Sequence, residues 1–208
     1  MNSIDETIKR TQRYWYVDGL AEMAVGSLFV VAALLYLGVA GMPPGPPAGL
    51  ALGLGQPVLL IGGAWLGRYV VRRLKEKITY PRTGYVLYRS SSGRQRWMRA
   101  GRSAGIGALV AIVVILVSHQ VGDHWVPAIS GGLFCLAMLL VSARMGLVRF
   151  LWLGVAVALI GILTTLLDLP TLYDTALFFG LFGLAWLASG GLTLLDYLRN
   201  TQPLPEGE

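Results

Sequence analysis

Six long apolar stretches divide the 208-residue chain, at approximately 19–41, 48–71, 103–121, 125–143, 150–167 and 175–198. Each approaches or exceeds the roughly 20 residues that a helix needs to cross about 30 Å of hydrocarbon. Only a short basic turn, from Ala143 to Arg149, separates the fourth stretch from the fifth. Two antiparallel helices fit there, because a single run of more than about 40 residues overshoots the bilayer. Composition agrees with this pattern. The chain is 55% hydrophobic and 13% charged, against about 25% charged in a soluble domain. Such values exclude a disordered chain, and a single cysteine excludes a disulfide scaffold. Too few polar side chains remain to cover a water-soluble globule. The expected fold is all-α: a polytopic integral membrane protein with a bundle of six transmembrane helices.

Placing the charges on this map orients it. All 17 Lys and Arg residues lie before the first stretch, from Arg68 near the end of the second to Arg102 before the third, in the turn after the fourth, or after the sixth. With six alternating crossings these places share one side. The opposite loops, 42–47, 122–124 and 168–174, hold no cation and only Asp123, Asp168 and Asp174. The basic side, 17 cations less eight acids, carries +9 and the other side −3. Because cytoplasmic loops accumulate Lys and Arg, both termini are expected in the cytoplasm. The first stretch is longer than the 7–15 residues of a signal-peptide core, so it is read as an uncleaved helix. Tyr14, Trp15, Tyr16, Tyr69, Trp97, Trp152 and Tyr197 fall at the inner headgroup level, and Tyr36, Trp125 and Tyr173 near the outer one. Trp186 falls mid-span and reads as a packing residue.

The chain is therefore expected to comprise a cytoplasmic amphipathic lead (1–18), two spans (19–71), a basic cytoplasmic loop (72–102), four further spans (103–198) and a cytoplasmic tail (199–208). In the loop, Ile78 to Tyr88 is β-branched and aromatic around a Pro-x-x-Gly turn, the pattern of a small hairpin. Arg72, Arg73, Arg82, Arg94 and Arg96 are its candidate contacts for anionic lipid headgroups or a partner protein. Basic residues interleaved with aromatics can also bind single-stranded nucleic acid. A loop tethered to the membrane at both ends instead meets anionic lipid, worth about 1 kcal/mol per cation near the surface, and no nucleic-acid partner is expected.

Within the bilayer, small residues four apart let helices approach closely, as at Gly63/Gly67, Gly101/Gly105, Ser103/Gly107 and Ala176/Gly180. Pro57 should kink the second span, and Gln56 beside it is an amide inside a span. Asp18 and Glu22 share one helix face at the start of the first span, and Asp196 lies near the same level on the last. Intramembrane acids are costly. The abundant cations at that level can pair with them; the alternative is a cation or proton site. On the other side His119, Asp123 and His124 cluster without a recognised metal spacing. Gly-x-Ser-x-Gly, His-Glu-x-x-His and P-loop patterns are absent, so neither a hydrolase nor an ATPase is expected, and no cofactor.

The stretch Arg13 to Glu22 followed by Gly26, together with Thr79 to Val86, resembles uncharacterised bacterial multi-pass inner-membrane proteins. The resemblance covers under a tenth of the chain and implies a bacterial inner membrane, with no activity attached. The expected function is a non-enzymatic membrane component whose basic loop docks on anionic lipid or a partner protein; a homo-oligomer is a further candidate assembly. The alternative is a small transporter or channel with a site near Gln56, Pro57 and Glu22.

Overall fold

A computed structural model describes residues 16–83 and 122–202, and single helical positions at 98, 101, 112, 114, 116, 117, 119 and 120. The described residues are helical with no strand, and five helices are long and apolar enough to cross a membrane. They are α1 (Leu20–Ala40), α2 (Pro46–Ile78), α3 (Val126–Met145), α4 (Val148–Leu166) and α5 (Thr171–Asn200). The expected third span, 103–121, and the segments holding Arg94 and Arg96 lie outside the continuously described residues.

Four of these helices form the core. Phe29 of α1, Phe134 of α3, and Phe182 and Trp186 of α5 contact one another in succession, and Phe150 of α4 meets Trp186. Centroid separations of 4.3 Å for Phe29–Phe182 and 4.8 Å for Phe134–Phe182 are close aromatic contacts. Val157 and Phe182 are buried at the middle, and Trp186 is a packing residue as its mid-span position implies. α2 packs on the outside, chiefly against α1.

The most extensive pairing joins α1 to α5, the first and last of the five. Glycines seven residues apart make it possible. Gly26 faces Gly183, and a Cβ on either would stand 2.7 Å from the other's carbonyl oxygen. Gly190 faces Gly19 in the same way. Seven residues return to one helix face in a left-handed crossing, so two such pairs place the antiparallel backbones in contact along two turns. α3 and α4 repeat the device with Gly131 against Gly161.

Two features of the loop depart from the sequence expectation. α2 does not stop near residue 71; it continues to Ile78, a helix of about 50 Å by its 33 residues. Arg72, Arg73, Leu74, Lys75, Glu76 and Lys77 are strong helix formers, and Arg72 and Arg73 add ion pairs to Glu76. The β-branched and aromatic residues from Ile78 do not start a strand either. Thr79 closes α2, and Tyr80–Thr83 forms one further helical turn with Pro81 near its start. Tertiary contacts of Thr79 override its local strand preference here.

Candidate functional site

A cluster of buried polar and charged groups gathers at the basic end of the bundle, around the start of α1. Gly19 stands there in the left-handed region (φ 69°), which glycine enters without steric cost. Its turn carries Asp18 inward. Asp18 and Glu22 are both fully buried, as are Lys75 and Thr79. Water cannot solvate these charges, so the protein must.

Each acid takes its cation from a different helix. Lys75 of α2 donates to Asp18 Oδ2 at 2.5 Å, and the Thr79 hydroxyl donates to the same oxygen at 2.7 Å. Asp18 Oδ1 accepts the Leu20 backbone N–H at 3.2 Å, closing the start of α1. Glu22, one turn further on, meets Arg149 Nη2 of α4 at 2.7 Å through Oε1. Its Oε2 accepts the Ser189 hydroxyl of α5 at 2.9 Å. Arg149 also donates to the Tyr16 carbonyl and to Thr193 Oγ1, and lies over the Phe150 ring. Below this layer the Tyr197 hydroxyl donates to the Thr79 carbonyl. Arg82 donates to the carbonyls of Leu198 (3.2 Å) and Thr201 (2.7 Å) at the end of α5, where the helix dipole favours a cation.

Two acids and two cations make this layer neutral, and α1, α2, α4 and α5 all contribute to it. Both carboxylates are engaged by charge-assisted contacts, so the arrangement serves as an electrostatic clamp at one end of the bundle. Removing one member of such a pair leaves the other buried and uncompensated.

The other sequence candidates are placed apart from it. Asp196 is exposed and accepts a hydrogen bond from Asn200 on its own helix. Gln56 accepts the Tyr36 hydroxyl at 3.2 Å; Tyr36 lies fourteen residues, about 21 Å, along α1 from Glu22. Glu22 and Gln56 therefore do not line one cavity. Replacing Gln56 by Leu is expected to cost under about 1 kcal/mol, the usual range for an interhelical hydrogen bond in a membrane; unfolding in detergent measures it. Of the loop arginines, Arg72 and Arg73 are exposed, whereas Arg82 is committed to capping α5. Among the described residues no group of three His, Cys, Asp or Glu could hold a metal, and Asp123–Trp125 forms a short 3-10 turn.

Lys75, Thr79, Arg149 and Ser189 are the partners that sequence reasoning did not single out. Arg149 stood as a topological charge in a turn, and Lys75 as one cation among ten in a loop. At the acidic end Asp174 is also buried, in the first turn of α5, where the helix N-terminus favours a carboxylate.

Comparison of the chain with protein-family models, with curated proteins and with solved structures finds no match.

Proposed function

We propose that the protein is a non-enzymatic component of a bacterial inner membrane whose basic end docks on anionic headgroups of the cytoplasmic leaflet. The observation that carries this reading is the continuation of α2 beyond its apolar stretch, to Ile78. Trp65 and Tyr69 are exposed and stacked at 6.3 Å, as in an interfacial aromatic belt. Arg72, Arg73 and Lys77 follow on the same helix, all exposed. A rigid helix thus presents cations just beyond the belt, where phosphate oxygens lie. Cytoplasmic placement of this end follows from the positive-inside rule, since all nine described Lys and Arg residues lie at it.

Parity supports six crossings. Thr83 lies at the basic end, beside the end of α5 that Arg82 caps. Gly122 lies at the opposite end, beside the start of α3. The 38 intervening residues must connect the two ends, and 103–121 is the apolar stretch among them.

Neutralising Arg72, Arg73 and Lys77 together to Gln tests the reading. In vesicles of mixed composition, the preference of the protein's annulus for brominated anionic lipid over brominated zwitterionic lipid, read by tryptophan quenching, should fall about tenfold. An unchanged preference would refute lipid docking. Loss of a co-purifying protein or of a second copy, with lipid preference intact, would assign the same cations to a protein partner.

A further inference from the structure

A groove of about 340 Å³ runs between α1 and α2 in the basic half of the bundle. Its walls are small and apolar: Ala24 and Leu28 on α1, and Gly63, Ala64 and Gly67 on α2. Gly63 comes hard against the end of Leu28, and Gly67 faces the Ala24 methyl. Glycines of α2 thus meet Leu28 and Ala24 of α1, and a furrow is left beside the contact. Among the described residues it is open to the side.

Arg68 lines the basic end of this furrow. It is exposed, lies between Trp65 and Tyr69 on α2, and has no ion pair among the described residues. The ion-paired acids of this end are already engaged. Asp18 holds Lys75, Glu22 holds Arg149, and Glu76 holds Arg72 and Arg73. Arg68 also lies seven residues, about 10 Å, toward the membrane interior from the buried Lys75. From the level of the aromatic belt a long arginine side chain reaches the headgroup region, and its forked donors suit a phosphate.

We infer that this groove is a site for one anionic phospholipid, with an acyl chain along Ala24, Leu28, Gly63 and Gly67 and the phosphate on Arg68. The inference rests on the headgroup reading above for its class of lipid and adds a defined, saturable position. An apolar chain fills the furrow, and the charge at its end selects the headgroup.

Native mass spectrometry of the intact protein in mild detergent, with anionic or zwitterionic phospholipid added, tests it. The wild type should retain one anionic lipid. Ala64→Phe, which fills the furrow without changing charge, should lower the retained fraction about tenfold for both headgroups. Arg68→Gln, at an exposed position, should remove the anionic preference and leave zwitterionic retention unchanged; circular dichroism confirms the fold of each. Equal lipid retention in wild type and both variants would overturn the site. If Arg72, Arg73 and Lys77 prove dispensable for annular preference while Arg68→Gln and Ala64→Phe lose the lipid, the broader docking fails and this site stands. The reverse result removes the site and keeps the docking.

Discussion

Replacing Lys75 by Met is expected to destabilise the protein by about 3–5 kcal/mol, the cost of leaving a buried carboxylate without its counter-charge. Asp18 is fully buried, and its remaining donors would be the Thr79 hydroxyl and the Leu20 N–H. Methionine keeps the length and the apolar stem of lysine, so packing changes little and the loss reports the charge. The double variant Asp18→Asn, Lys75→Met should recover most of the stability, because both charges then leave together. Unfolding in mixed micelles, followed by circular dichroism, measures both. A single-variant loss under about 1 kcal/mol would show that the pair is not the clamp described.

The second large effect concerns the glycine pairs. Gly26→Ala places a methyl 2.7 Å from the Gly183 carbonyl oxygen and 2.8 Å from the Leu187 nitrogen, both backbone atoms that cannot rotate aside. Overpacking of this kind costs about 1–3 kcal/mol, with the upper half expected because α1 must lift from α5. Gly38→Ala on the same helix meets nothing within 4 Å. It should raise stability by a few tenths to about 1 kcal/mol, since alanine is the better helix former. The two alanine substitutions are thus expected to have opposite signs in one unfolding assay. Two losses of equal size would refute the close α1–α5 contact.

These contacts show where sequence reading reaches and where it stops. Span positions depend on apolar length, a property of contiguous residues. The stretch expected at 125–143 is α3 at Val126–Met145, and that at 150–167 is α4 at Val148–Leu166. The shared face of Asp18 and Glu22 was legible from their spacing, and ion pairing was the simpler of their two readings. Their partners were not legible. Lys75 stands 57 residues from Asp18, and Ser189 stands 167 from Glu22, and no periodicity connects such positions. The glycine signal was present but at another spacing. Of the pairs four apart, Gly63 and Gly67 lie on the looser α1–α2 contact, while Gly180 of Ala176/Gly180 meets Ala33 on the α1–α5 contact. The tightest pairing uses Gly19/Gly26 and Gly183/Gly190, seven apart. The hairpin expectation failed at Ile78 to Thr83 because local β-propensity competes with the packing of Thr79 and Arg82 on α1 and α5.

The clamp also imposes an order on biosynthesis. Glu22 emerges from the ribosome 167 residues ahead of Ser189, the hydroxyl that completes its shell. At about 5–20 residues per second that is an interval of roughly 8–33 seconds. Throughout it the first helix carries an acid whose final surroundings have not yet been synthesised. Until α5 arrives, that carboxylate must keep water, a proton or another partner. A nascent chain arrested before α5 would present that carboxylate and the bare Gly19/Gly26 face together.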